Sequence, residues 1–224
     1  MRARYDGRRS VPEEVKKDTA VGFPHTERCG MNWALSCMRL ATHEPRIGMW
    51  YPRFGEFGNV AKCRNAIVEV FLESEYEYLF WIDTDVGFEA DALSRLHAHG
   101  KDIICGIYWA TQEVTPDDNF GFQIHPAPCV YLSSKDKGVV PAYDLAEVGG
   151  LREVDAMGGG FCLIHRKVYE KIGSAWYDLL PLPDGRYLAE DLSFCKRARD
   201  WGFKLWCDAD LKTNHLKAAW LGPK

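Results

Sequence analysis

The chain has 224 residues, 46% hydrophobic and 27% charged side chains and a net charge of −4, a balance that fits one globular domain able to bury its own core. An acidic chain is poorly suited to general nucleic-acid binding, which draws its affinity from neutralised phosphates. The longest uninterrupted apolar or small run, 103–110, is far short of the roughly 20 residues that span a bilayer.

Residues 1–18 read as a flexible basic arm, mobile or loosely docked, ahead of a single domain over 19–224. Six basic and three acidic side chains fall within 1–17, and no apolar stretch follows the early arginines to make a secretory leader. Ala20–Phe23 is predicted as a short buried strand stopped by Pro24, because proline cannot donate to a ladder. Residues 31–42 set Met31, Leu35, Met38 and Ala41 at helical spacing. Pro45, Gly48, Pro52, Gly55 and Gly58 give 44–58 the composition of a loop. Val60, Cys63, Ile67, Val70 and Phe71 then share one face of a helix that Asn59 can cap.

Tyr78–Ile82 is a continuous apolar run, as in strands buried on both faces, and it leads straight into Asp83-Thr84-Asp85. A short helix over Asp91–His99, with Leu93 and Leu96 inward, precedes a strand over 102–108. This alternation of strands and helices predicts an α/β fold with a mainly parallel central sheet. The stretch 111–153 is rich in Pro, Gly and Asp, and only one or two short strands near Cys129–Leu132 are expected there. Beyond it come Gly158-Gly159-Gly160, a strand over Phe161–His165, a helix over 166–172, a loop over 174–187, a helix over Glu190–Trp201 and a closing strand over Lys204–Cys207. Eight cysteines contain no C-x-x-C pair and several lie in apolar segments. Buried, reduced thiols and a cytoplasmic location are the expectation.

Asp83-Thr84-Asp85 carries the most chemical information. It follows the carboxyl end of a buried strand, where open α/β sheets place ligands, and two carboxylates one residue apart can reach one hard cation, Mn²⁺ or Mg²⁺, with positions left for phosphate oxygens. The same aspartates can equally serve as turn caps. Glu190-Asp191 opens a helix, where the dipole favours anions and a purely capping role would suffice. His215 can be a metal ligand or a surface residue. Gly158–Gly160 allows close backbone approach or a tight bend, and Arg64-Asn65 can meet a phosphate or base or stay solvated. Trp109, Trp176 and Tyr177 can offer a stacking surface to a sugar or fill the core.

Their order is more telling than any one of them. Pro-His-Thr after the first strand, Asn-Val-Ala-x-x-Arg-Asn on a helix, Phe-Trp-Ile-Asp-Thr-Asp on a strand, Gly-Gly-Gly-Phe before a strand, Glu-Asp-Leu-x-Phe-Cys and a late His together resemble nucleotide-sugar glycosyltransferases of the GT-A fold, in particular family-2-like enzymes and the small forms of phages and bacteria. The resemblance spans roughly 19–217. It implies a Rossmann-like GT-A domain in which Asp85 and His215, with Asp83 close by, hold a divalent cation that bridges the donor diphosphate. It further implies that Asp83 and Thr84 touch ribose or sugar, that Pro24, His25, Thr26 and Arg64 line a nucleotide pocket, and that Gly159 and Gly160 lie under the donor sugar. Asp191, with Glu190 beside it, would face the acceptor hydroxyl. The implied activity is transfer of a sugar from a nucleotide-diphosphate donor, of uridine type, with inversion and Asp191 as base. A retaining enzyme of the same fold, a non-catalytic nucleotide- or carbohydrate-binding protein and a metal-dependent phosphohydrolase are the alternatives. The acceptor stays open among small molecules, glycans, proteins and modified DNA bases.

Overall fold

A computed structural model describes residues 15–26, 28–55, 59–114, 123–136 and 138–217, and the most apolar segments of the chain form its central layer. In chain order, β1 (Thr19–His25), α1 (Met31–His43), β2 (Ile47–Phe54), α2 (Val60–Glu73) and β3 (Tyr78–Ile82) come first. The two-residue β4 (Val86–Gly87) precedes α3 (Ala92–Ala98), β5 (Ile103–Ile107) and the paired strands β6 (Trp109–Val114) and β7 (Gln123–Pro128). Then follow β8 (Val130–Ser134), β9 (Gly138–Pro141), α4 (Tyr143–Val148), β10 (Leu151–Val154) and β11 (Ala156–Met157). The chain ends through β12 (Phe161–His165), α5 (Arg166–Ile172), β13 (Leu180–Pro181), β14 (Tyr187–Leu188), α6 (Glu190–Asp200), β15 (Leu205–Lys212) and β16 (Asn214–His215).

Seven strands form the central sheet in the order β10-β15-β5-β12-β3-β1-β2. Five of them, β1, β2, β3, β5 and β15, run the same way, while β12 and β10 are reversed. Side chains alternate across the pleat, so each apolar strand feeds two cores. Leu79, Trp81, Cys105, Cys162 and Ile164 face the layer of α2, α5 and α6, whereas Phe80, Ile82, Ile104, Phe161 and Leu163 face α1 and α3. The result is a three-layer α/β/α sandwich, as the apolar runs predict.

Helix α2 starts where expected, its first turn closed by the Asn59 side chain accepting from the Lys62 amide at 3.0 Å. Other expectations are corrected. The 44–58 stretch contains β2, an edge strand paired only with β1, and an edge is where Pro52 is tolerated. β1 continues through Pro24 because beyond Gly22 only β2 lies opposite it. On α1, Met31, Leu35 and Met38 are exposed, and the inward face is the second stripe of Trp33, Ser36, Cys37 and Leu40. Stretch 111–153 holds several short strands, paired mostly as hairpins (β6 with β7, β8 with β9), and α4, in place of the one or two strands expected there. β15 runs past Cys207 because Asp208 is buried against Arg95 and His99, each 3.2 Å away. Residues 1–14 of the arm lie outside the described residues. Its last residue is docked, with the Asp18 amide donating to the Arg46 carbonyl. All eight cysteines are free thiols, six of them buried. Among the described residues no helix is long and apolar enough to cross a membrane.

Gly106 sits where β5 passes the irregular turn in β15. A Cβ there would lie 2.8 Å from the Leu211 carbonyl oxygen and 3.0 Å from Phe161 Cε1. Gly106→Ala should therefore destabilise the fold by about 1–3 kcal/mol through overpacking, measured as a lower urea midpoint at unchanged slope.

Candidate active site

The site grows from the carboxyl ends of β1 and β3. Because β12 runs antiparallel to β3, with Phe161 opposite Ile82, its entry at Gly158–Gly160 meets the exit of β3 at Asp83. The Asp83 amide donates to the Gly160 carbonyl at 2.8 Å. Around this junction stands a buried guanidinium. Arg64 Nη1 donates to the Gly159 carbonyl at 2.9 Å, and Nη2 donates to Asp83 Oδ1 and Oδ2 at 2.9 and 3.2 Å. Its Nε makes no hydrogen bond and faces Glu190 Oε1 at 3.7 Å. The guanidinium also lies 5.1 Å from the Trp81 ring centre and 5.8 Å from that of Tyr177. Burial opposes its charge, but Asp83 above all, with help from Glu190, outweighs that and keeps Arg64 a cation.

The three glycines make this packing possible. A Cβ on Gly158 would strike the Tyr108 hydroxyl, one on Gly159 would lie 3.0 Å from Arg64 Cζ, and one on Gly160 would lie 2.7 Å from Asp83 Oδ2. The glycines are buried against protein side chains. Arg64 is buried rather than solvated, and it ties β3, the glycine turn and the start of α6 together. Asn65 binds the Tyr177 amide and the Asp178 carboxylate, so it holds a loop rather than a base. Trp176 and Tyr177 are core residues, with Tyr177 stacked on Phe194 at 5.0 Å.

Pro24, His25, Thr26, Asp83, Thr84 and Asp85 line one open cleft of 590 Å³, joined by Cys63 of α2 and by Gly30 and Leu216. His25 is oriented by its Nδ1 hydrogen bond of 2.8 Å to the Thr26 carbonyl and by the edge of Phe54. In an adjoining cavity that shares Gly30, Asp85 and Leu216 with the cleft, β16 pairs with β4 so that His215 lies opposite Val86. This places His215 Nε2 2.9 Å from Asp85 Oδ2, while His215 Nδ1 donates to the Trp109 carbonyl. Burial pushes the Asp85 carboxyl up, yet His215 and Lys217 more than offset it and hold the group below the usual carboxylate range. Among the described residues no three His, Cys, Asp or Glu side chains are grouped as metal ligands, and Asp83 is engaged by Arg64.

Asp191 stands in the first turn of α6 beside Glu190, its Oδ1 accepting from the Leu192 amide at 2.7 Å. Burial and the neighbouring Glu190 charge push its carboxyl up to about 6, against the pull of Arg64 and of the Leu192 and Gly159 amides. A carboxylate so placed can take a proton near neutral pH. Two participants escape a reading of the sequence. Tyr108 is buried behind the glycines and receives the Gly160 amide at 3.2 Å. Lys217 reaches the Asp85–His215 pair, and the only advance signal for it is its position two residues beyond His215.

No protein-family model and no curated protein sequence matches the chain. Solved structures do match it. A197 from STIV aligns over 89% of this chain and 86% of its own, with a TM-score of 0.58 and 20% identity. GalNAc-T7, crystallised with UDP, GalNAc and Mn²⁺, aligns over 91% of this chain with a TM-score of 0.57 and 11% identity. This chain spans only 44% of that second protein. At such identities the likeness is one of fold, and the fold is GT-A-like: mixed α/β with a mainly parallel seven-stranded sheet.

Removing the guanidinium would strand two carboxylates at once. Arg64→Met should cost about 3 kcal/mol in urea unfolding, the lower end for breaking a buried pair because Asp83 retains some solvent. Arg64→Lys should recover little, since one ammonium cannot reproduce the planar fork that reaches Gly159 and Asp83 together.

Proposed function

We propose that this chain is a metal-dependent glycosyltransferase that moves a sugar from a nucleotide-diphosphate donor, of uridine type, to an acceptor hydroxyl with inversion. The observation that carries this reading is the Asp85–His215 pair, a carboxylate and an imidazole 2.9 Å apart, with Asp85 lining both the cleft and the adjoining cavity that His215 lines. One oxygen and one nitrogen donor suit Mn²⁺, or with less affinity for the imidazole Mg²⁺, and two protein ligands leave positions for phosphate oxygens. A divalent cation bound there supplies Lewis-acid stabilisation of the charge that develops on a leaving diphosphate. UDP and Mn²⁺ in the similarly folded GalNAc-T7 support the same assignment.

The remaining work falls to side chains of this chain. Pro24, His25 and Thr26 flank the nucleotide, and Asp83, held by Arg64, is aimed at a ribose or sugar hydroxyl beside Thr84. Asp191 takes the proton of the acceptor hydroxyl as its oxygen bonds to the anomeric carbon, and the electron pair of the breaking sugar–phosphate bond leaves with the diphosphate. Glu190 keeps the Asp191 carboxylate basic by like-charge repulsion. Small molecules, glycans, protein hydroxyls and modified DNA bases are the acceptor classes to screen. The free thiols suit a reducing, cytoplasmic setting.

A donor screen with Mn²⁺, read by mass spectrometry for both hydrolysis and transfer, tests the activity. Full turnover in excess chelator would overturn the metal assignment. Asp85→Asn should weaken donor binding first, whereas Asp191→Asn should leave it near normal and lower transfer by roughly 10²–10⁴-fold. An Asp191→Asn protein that keeps most of its transfer activity would rule out Asp191 as the base.

The raised Asp191 carboxyl makes a second, independent expectation. With the folded value near 6 and the unfolded value near 4, the neutral form is the one the fold favours. Its stability is fully present below the unfolded value and is lost as pH rises through about 6. At pH 7 Asp191→Asn should then be more stable than the natural protein by roughly 1–3 kcal/mol, and transfer by the natural protein should fall as pH drops through about 6. Denaturation of both proteins at pH 4 and pH 7 reads the first effect, and a pH–rate profile reads the second.

A further inference from the structure

The Asp85–His215 pair already has a cation against it. Lys217 Nζ lies 2.7 Å from His215 Nε2 and 3.4 Å from Asp85 Oδ2. The hydrogen-bonding partners fix who donates. The Trp109 carbonyl can only accept, so His215 Nδ1 is a donor, and an ammonium can only donate, so Nε2 receives the bond from Lys217. Nε2 lies 2.9 Å from Asp85 Oδ2, and a positive charge must stand against that oxygen: a proton on Nε2, through which His215 lowers the Asp85 carboxyl, or the Lys217 ammonium donating to Nε2 and set against both atoms.

The backbone delivers this arrangement. The Leu216 amide donates to the Asp85 carbonyl at 2.8 Å, and His215 pairs with Val86. Beyond β16 the chain stays beside Asp85 through the Leu216 amide, and Lys217 reaches back to His215 Nε2. Its side chain is 40% exposed, and a flexible four-carbon stem lets the ammonium swing into solvent without moving the backbone.

We propose that Lys217 is a tethered counter-cation: it holds Asp85 and His215 in register and is displaced when a divalent ion binds, so that the chain sets its own metal affinity. The proposal rests on the metal reading given above. An ammonium hydrogen-bonded to Nε2 and a metal ion ligated by Nε2 need the same lone pair, so the two are alternative occupants. Metal binding must then include the work of moving a unit charge off a carboxylate.

Mn²⁺ binding without nucleotide, followed by the electron paramagnetic resonance of free Mn²⁺, tests this on the natural protein and on Lys217→Met, Lys217→Arg and Asp85→Asn. Lys217→Met keeps the length of the side chain and removes its charge, and it should tighten Mn²⁺ binding by about tenfold, the scale of one nearby unit charge at a solvent-accessible site. Lys217→Arg retains the charge and should stay close to the natural protein, and Asp85→Asn should abolish the site. Equal affinity in the natural protein and Lys217→Met, with binding still lost in Asp85→Asn, would overturn the role of Lys217 and leave the metal reading standing. Absence of Asp85-dependent binding in every protein, Lys217→Met included, would overturn both. Mn²⁺ bound tightly by Lys217→Met but not measurably by the natural protein would be the strongest support.

Discussion

Arg64 is the only buried lysine or arginine among the described residues, and the candidate site is arranged around it. Moving a guanidinium out of water costs several kcal/mol unless its charge and donors are met. Here the charge is met by Asp83, the Gly159 carbonyl takes one donor, and Glu190 approaches without a hydrogen bond. That partial satisfaction has a structural consequence. Three elements remote in sequence, the end of β3, the entry to β12 and the start of α6, are drawn to one point by a single side chain from α2. Asp83 on the cleft wall and the Glu190–Asp191 turn of α6 meet at that point, so their relative placement is set by a buried ion pair rather than by loops.

The glycine turn is best understood through the same guanidinium. None of Gly158, Gly159 and Gly160 has a positive φ, so conformational freedom is not why they are glycines. Volume is the reason: Tyr108, Arg64 and Asp83 each occupy the space that a Cβ would need. Behind them Trp81 donates to Tyr169, Tyr169 pairs with Tyr177, and Tyr177 stacks on Phe194. This aromatic wall gives the guanidinium its π-faces and keeps water from Arg64.

What could be read from the sequence follows from which signals are local. β3 and β12 were legible because a strand buried on both faces is a continuous apolar run, and α2 because its cap and its inward face lie within one segment. β2 was not, since an edge strand tolerates the Pro and Gly that otherwise mark loops. The two apolar stripes of α1 have the same spacing, and only the tertiary contacts of Trp33 with Phe23 of β1 and of Ser36 with the Phe88 carbonyl beyond β4 select Trp33–Leu40 over Met31–Met38. In the site, the residue types at 83, 85, 191 and 215 suggested their chemistry. The role of Arg64 was hidden because the Gly159 carbonyl that claims it lies 95 residues away. Lys217 was hidden because nothing distinguishes a lysine near a chain end until β16 folds against β4.

Three aspartates within one site would repel one another if their surroundings were alike, and they are not. Asp83 is neutralised by Arg64. Asp85 is drawn down by His215 and Lys217, which keeps it anionic. Asp191 is pushed up by burial and by Glu190, which suits a group that must gain a proton and release it. Environments that move carboxyl groups in opposite directions divide their roles more reliably than sequence position does. Glu190 matters to that division in two ways, since it balances Arg64 on one side and raises Asp191 on the other. Shortening or neutralising it would relax both at once, leaving Arg64 with one carboxylate fewer and Asp191 a weaker base. The acidic dipeptide at the start of α6 is therefore better read as a coupled pair, one member set against the buried cation and raising the carboxyl of the other, than as two helix-capping charges.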